Sequence, residues 1–404
     1  MSDCILSQVA LSYSPMIDRQ RAVTATRLTV FPLVPGAPLD AAALLAEVAA
    51  VWPEGDGRVS LNVLSESLLH DLIEAQPSAN VMIEVPAFMA GEAAHTAAIT
   101  ALHAKGNTLL IKGRPLRELP REVLPCFKYS IIDLSDDRRV GETQPAAGAT
   151  RSIGFVQSGV SRIAEMEASF ARGAVAVLGW PMGDAIAQAA APTSASSKPK
   201  SGASDLQVIV ELIRRVDQAE PVDKLEETLK RDPTLAFKLL RYINSPGFGL
   251  SVEISSFRHA IMMLGYNRLK RWLALLLATA SKDVDMKPVM FASVRRGILM
   301  EELVRHLGDD EMRGELFICG VFSLLDQMFK QPFGELLKSL PVPERVYQAL
   351  ADGSGPYAPY CEMVRAIEGD ALDPIREACD RLITDPGEIN RALLRALSHA
   401  ARLD

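Results

Sequence analysis

At 404 residues the chain is longer than one hydrophobic core ordinarily holds, so two or three domains are expected. A net charge of -7 opposes a dedicated nucleic-acid binder, because phosphate contacts need clustered Lys and Arg. The five cysteines, Cys4, Cys126, Cys319, Cys361 and Cys379, contain no CxxC pair and are odd in number, so they support neither a disulfide framework nor a zinc site, and a reducing compartment is expected.

Met1 to Cys4 carries an acid and no positive n-region, and the longest apolar run, Leu273 to Ala280, is too short to span a bilayer. A cytoplasmic protein without a membrane partner is therefore expected. From Ile5 to Leu178 short β-branched runs alternate with Ala-rich helical stretches. The strands predicted are Ile5 to Leu11, Thr24 to Phe31, Val59 to Val63, Val81 to Val85, Thr108 to Lys112, Ser130 to Leu134, Ser152 to Val156 and Ala174 to Leu178. The later ones recur at roughly 22 to 27 residues, the length of a strand plus its crossover helix. Such repetition predicts a (β/α)8-type barrel, trimmed because about 185 residues is short for one.

After Gly183 a run rich in Ala, Ser, Pro and Lys lacks apolar periodicity and reads as a linker. The domain ranges expected are 1–185 for the barrel, 186–203 for the linker and 204–404 for an all-helical region. Within that region Leu206, Ile209, Val210 and Ile213 recur at helical spacing, as do Leu235, Leu239, Leu240 and Ile243. Asp232-Pro233 starts a helix, Ser245-Pro246-Gly247 ends it, Ser255 and Ser256 cap the next, and Gly265 closes that one before a further helix from Asn267. Beyond Lys287 the clearest helices are Met290 to His306, Gly314 to Phe329, Pro343 to Leu350 and Gly387 to Arg402, cut apart by prolines and glycines.

The helix ending Asn244-Ser245-Pro246-Gly247-Phe248, the Ser-containing turn, Ala260-Ile261 and Leu264-Gly265 together resemble the HDOD domain, an all-helical signalling module related to HD phosphohydrolases but lacking their catalytic residues. The region before the linker resembles the EAL domain, a cyclic di-GMP phosphodiesterase barrel. That likeness begins at Ser14-Pro15-Met16-Ile17-Asp18-Arg19 and closes at Leu178-Gly179-Trp180-Pro181.

Carried over by position, the resemblance implies a metal site mostly lost. Arg27 stands where the name-giving glutamate would be, and Lys112-Gly113 where paired aspartates would be. Ile131 replaces the catalytic lysine while Asp133 keeps the acid after it; Ser161 lies near the position of a later glutamate and Leu178 at that of a glutamine. Asn62 and Glu84 match metal ligands of the family. Two-metal hydrolysis needs several carboxylates, and two cations at carboxylate positions oppose it. No phosphodiesterase activity, no metal and no cofactor are expected.

For Glu84 a structural ion pair with Lys112 or Arg27 is expected, the alternative being that the two cations hold an anion without metal. Asn62 reads as a satisfied strand-end polar group. In the C-terminal region Ser323 and Leu324 occupy the positions that an HD fold uses for metal. His70-Asp71 reads as an exposed helix face without partner histidines, and His259 as a capping or packing residue. Arg268, Lys270 and Arg271 form a solvated stripe rather than a DNA-reading helix, since Trp272, Leu273, Leu275 and Leu276 crowd the same helix. Met262 and Met263 read as core, with a partner-docking patch as the alternative.

The expected protein is a tandem EAL-HDOD signalling adaptor that works through a protein partner. A metal-independent cyclic di-GMP receptor and a residual phosphodiesterase are the alternatives.

Overall fold

A computed structural model describes residues 4–54, 57–115, 118–137, 153–182, 203–230, 257–279, 286–307, 309–329, 331–337 and 342–401. The expected linker, apart from its last residue, and the motif stretch 231–256 lie outside the described residues, as do the side chains of His259, Ala260, Ile261, Met263 and Leu264.

The first half is a closed barrel of eight strands in sequential order: β1 Val9–Asp18, β2 Val23–Pro32, β3 Val59–Val63, β4 Val81–Pro86, β5 Leu109–Lys112, β6 Phe127–Asp133, β7 Gly154–Ser158 and β8 Ala176–Leu178. Strands β2 to β8 pair in parallel, whereas β1 runs antiparallel to both β2 and β8. A repeating strand–helix pattern does not anticipate this reversal. Its local cause is a hairpin in place of a crossover: the Asp18 carboxylate accepts the backbone N–H of Gln20 and of Ala22, and Arg21 takes a left-handed φ of 64°.

The first predicted strand needs correction. Ile5–Ser7 is a 3-10 turn whose Ile5 and Leu6 are buried, so an apolar run mimicked a strand, and β1 proper extends through Pro15 to Asp18. The seventh strand lies two residues later than expected, over Gly154–Ser158.

Helices α1 Ala41–Val51, α2 Glu66–Glu74, α3 Ala87–Ala90, α4 Ala93–Lys105 and α5 Ile163–Ala171 follow the strands. Asp40 caps α1 by accepting Ala43 N–H, Ser65 caps α2 by accepting Leu68 N–H, and Gly106 closes α4 at φ 99°. After β8, Gly179 sits at φ 135°, where a Cβ would lie 2.2 Å from the Val160 carbonyl oxygen. This close approach lets Trp180 donate Nε1–H to Tyr13 O and meet the Tyr13 ring edge-on at 5.2 Å.

Residues 362–395 group with the barrel in one compact unit, and 184–361 with 396–404 form the other. The sequence places all of 204–404 in one helical region; the contacts divide it at Glu362. Asn390, 1% exposed, donates Nδ2–H to Leu6 O and Val9 O at 2.7 Å each and accepts Leu11 N–H at 3.0 Å. Arg376 donates to Leu33 O. Because β1 is reversed, its start pairs with the end of β2, so these contacts hold the segment to the rim formed by the C-terminal strand ends. The helices Ala358–Glu368 and Leu372–Leu382 escaped the sequence reading because Pro359 and Pro374 look like breakers. Each proline lies in a first turn, where its missing N–H has no intrahelical partner to lose.

The second unit is helical. Helix Phe257–Thr279 breaks at Gly265, whose φ of 69° and ψ of 170° fit the expected closure. Helices Lys287–Leu303 and Asp310–Phe322 pack so closely that a Cβ on Gly320 would lie 2.5 Å from Arg296 O, and Ser293 Oγ–H donates to Val321 O at 2.6 Å. Among the described residues no helix is long and apolar enough to cross a membrane.

Candidate functional site

Alternate residues of a barrel strand face inward, and here they form two layers. Met16, Ala25, Met82, Leu110, Ile131, Val156, Ala176 and Leu178 make a buried apolar cluster. Moving two residues along β2, β4 and β5 reaches Arg27, Glu84 and Lys112, with Ser60 and Asn62 on β3 between them. The polar layer therefore rests on an apolar one.

Its centre is an ion pair. Arg27 donates Nε–H and Nη2–H to the two oxygens of Glu84 at 2.8 and 2.6 Å, and Ser60 Oγ–H adds a third bond at 3.1 Å. Arg27 is 8% exposed and Glu84 1%. Burial disfavours the charged guanidinium, but the charge and hydrogen bonds of Glu84 outweigh it and raise the Arg27 pKa above its ordinary value. Of the two cations considered from sequence, Glu84 takes Arg27 in a planar fork matched to both oxygens.

Lys112 turns elsewhere. Its ammonium donates to Asn62 Oδ1 at 2.9 Å, and Asn62 Nδ2–H donates to Thr29 Oγ1 at 3.2 Å, so Asn62 is the satisfied strand-end group expected. Burial, and then the neighbouring charge of Arg27, lower the Lys112 pKa, against attraction from Glu84, Asp133 and Asp370. Asp370 lies between two of the C-terminal helices, and its charge acts on Arg27 and Lys112 alike. Gly113, just after β5, takes a positive φ of 82°.

The unfolded chain holds the Lys112 proton more tightly than the fold does, so stability rises with pH through the alkaline window below the ordinary lysine value. Lys112→Met removes that rise and leaves neutral-pH stability equal to or above that of the parent; urea unfolding at stepped pH reads it, and a steeper rise in the variant would contradict the assignment.

The remaining positions are engaged or apolar. Asp133 accepts Ser135 N–H at 3.0 Å, Ser135 Oγ–H at 2.7 Å and Ser158 Oγ–H at 3.0 Å. Ile131 and Leu178 are each 1% exposed in the apolar layer. Ser161 donates both N–H and Oγ–H to Glu165, which also accepts Arg162 N–H. Burial alone would push the Glu165 pKa up, but these donors hold it below its ordinary value. Glu165 went unnoticed in the sequence, although an acid in the first turn of a helix after Ser-Arg is a capping signal.

In the helical unit Ser323 Oγ–H donates to Gly320 O at 2.7 Å and accepts from Arg296 Nη1–H at 3.1 Å, while Leu324 is 3% exposed. Lys270 pairs with Asp217 and Arg271 with Glu301, beside the buried Trp272 and Leu273. Met262 is 67% exposed, which corrects its reading as core.

A second correction concerns His70. Its Nδ1 lies 3.3 Å from Nδ1 of His95, so a partner histidine is present. Spacing rules see ligands on one helix; these two sit on α2 and α4, 25 positions apart.

Residues 203–329 match the HDOD domain family. This segment is an HDOD domain. Curated relatives are similar over part of their length. The chain is 30% identical over 194 residues to the uncharacterized protein YuxH of Bacillus subtilis, covering 46% of each. It is 28% identical over 191 residues to the cyclic di-GMP phosphodiesterase CdgJ of Vibrio cholerae, covering 47% of this chain and 44% of that one. The match thus spans less than half the length of either relative. Among solved structures, the EAL enzyme Bd1971 in its cGMP-bound form is similar over 43% of this chain and 60% of that chain, with a TM-score of 0.32 and 12% identity. The HDOD segment begins with helix Ala203–Asp217 and includes the close-packed pair Lys287–Leu303 and Asp310–Phe322.

Proposed function

We propose that the protein is a non-catalytic adaptor in cyclic di-GMP signalling, its barrel serving as a scaffold and its HDOD domain engaging a protein partner. The similarity to CdgJ, named as a cyclic di-GMP phosphodiesterase, supports the signalling context. One observation supports the non-catalytic reading: both oxygens of Glu84 are held by Arg27 in a buried fork. A pair of divalent cations would have to displace that guanidinium and then share the layer with Lys112. Magnesium needs near-octahedral oxygen ligands, and Asn62 and Asp133 already spend their oxygens on Lys112, Ser135 and Ser158.

The purified chain, incubated with cyclic di-GMP and either magnesium or manganese, is expected to release no linear dinucleotide. Turnover that disappears in Glu84→Gln would overturn the reading. A receptor role without metal is separable by calorimetry: saturable binding of cyclic di-GMP weakened by Lys112→Ala would assign the layer to nucleotide recognition. The adaptor reading expects no heat of binding.

A further inference from the structure

Outside the barrel, Glu66, Glu92 and His95 each offer one ligand atom, and the three atoms lie within 4.8 Å of one another. We propose that they form a site for a borderline transition cation, zinc being the natural occupant, on the rim of the barrel. The site is separate from the interior layer and does not depend on the proposed function.

Local structure places the three groups. Ser65 caps α2, which puts Glu66 in the first helical position after β3. Glu92 is the residue before α4, and His95 stands in that helix's first turn, so Glu92 and His95 share one face. Both helices start at the rim where β3 and β4 end. His95 is 8% exposed and its ring is fixed, whereas both glutamates are exposed and free to turn.

The second histidine sets the ring chemistry. His70 Nε2 lies 3.5 Å from Glu74, and His70 Nδ1 lies 3.3 Å from His95 Nδ1. With the His70 proton on Nε2, the nitrogen beside Glu74, its Nδ1 lone pair accepts Nδ1–H from His95. The His95 Nε2 lone pair is then left free, 3.3 Å from Glu92 Oε2. A ligating histidine whose other nitrogen donates to an oriented acceptor is the usual support of a zinc site. His70 is here a positioning residue.

The distances suit zinc. Ligand atoms about 2.0 to 2.1 Å from a tetrahedral ion stand roughly 3.3 Å apart, which matches the His95 to Glu92 separation and asks only a side-chain rotation of Glu66. Two carboxylates and a neutral imidazole balance the charge of a divalent ion, and the fourth position is open to water. An ordinary ion pair of His95 with Glu92 would need one carboxylate. Glu66 adds a second carboxylate, which a divalent ion uses as a further ligand.

Binding would clamp the starts of α2 and α4, and thereby the loops leaving the strands that carry Asn62 and Glu84. Calorimetry of the chelator-treated full chain with zinc chloride tests this, using magnesium chloride as the hard-cation control. One equivalent of zinc is expected to bind and magnesium not to compete. His95→Gln should abolish binding, Glu66→Gln should weaken it at least 10-fold, and His70→Ala should weaken it about 10- to 100-fold. His103→Ala, on the last turn of α4, should change nothing. Cobalt should bind in place of zinc with a visible absorption band that His95→Gln removes. Absence of saturable zinc binding, binding unaltered in both His95→Gln and Glu66→Gln, or equal affinity for magnesium would overturn the site. Glu66 is exposed, so its variant tests ligation even where substitution of His95 perturbs folding.

Discussion

Arg27→Ala should cost the barrel about 3–5 kcal/mol, read as a lowered urea midpoint at neutral pH. The substitution leaves the Glu84 carboxylate, 1% exposed, with Ser60 as its one remaining hydrogen-bond donor among the described residues. A charge buried this way must take up a proton or draw in water, and either costs free energy. Glu84→Ala should be comparably harmful because it strands the guanidinium. The double variant Arg27→Met with Glu84→Met should recover most of the loss, since removing both partners removes both desolvation penalties along with their attraction. Equal losses in single and double variants would mean that the pair's charges are irrelevant and that only packing volume matters at this layer.

Asn390→Ala should cost about 3 kcal/mol and loosen the segment 362–395 from the rim. Three hydrogen bonds are lost at once, and Leu6 O, Val9 O and Leu11 N are left without them in a dry environment where each unsatisfied group costs about 1–3 kcal/mol. The total falls below the sum because water can enter once the segment shifts. Amide exchange at Leu11 should accelerate, as its N–H acceptor is gone. Asn390→Asp keeps the acceptor but faces a carboxylate to two carbonyl oxygens, so it should be no milder than alanine while preserving protection at Leu11. Unchanged exchange at Leu11 in the alanine variant would show that the strand start is held by something other than Asn390.

The barrel was legible where chemistry is local. Val59 to Val63 and Val81 to Val85 are β-branched runs between turn residues, and they became strands almost residue for residue. Arg27, Glu84 and Lys112 were reached through the likeness to the EAL domain, which points to them by position, and not through strand alternation. The choice between Arg27 and Lys112 as the partner of Glu84 was not legible, since it depends on the reach of each side chain across a closed barrel. Ile5 and Leu6 misled because buried turn residues and strand residues share the same composition. Asn390 carried no signal at all: it is an ordinary polar residue in a helix, and its role comes from partners more than 370 positions away. His70 and His95 were hidden for the same reason on a shorter scale.

The reversed first strand also orders events in time. The Val9 carbonyl at its start, and that of Leu6 in the turn before it, accept from a residue that leaves the ribosome about 200 residues after β8. At roughly 5 to 20 residues per second, that interval is on the order of 10 to 40 seconds. Throughout it the nascent barrel presents a rim that its own sequence has not yet supplied the means to cover. The HDOD segment, residues 203–329, is made within that interval, so the first half of the chain waits on a residue synthesised after that segment.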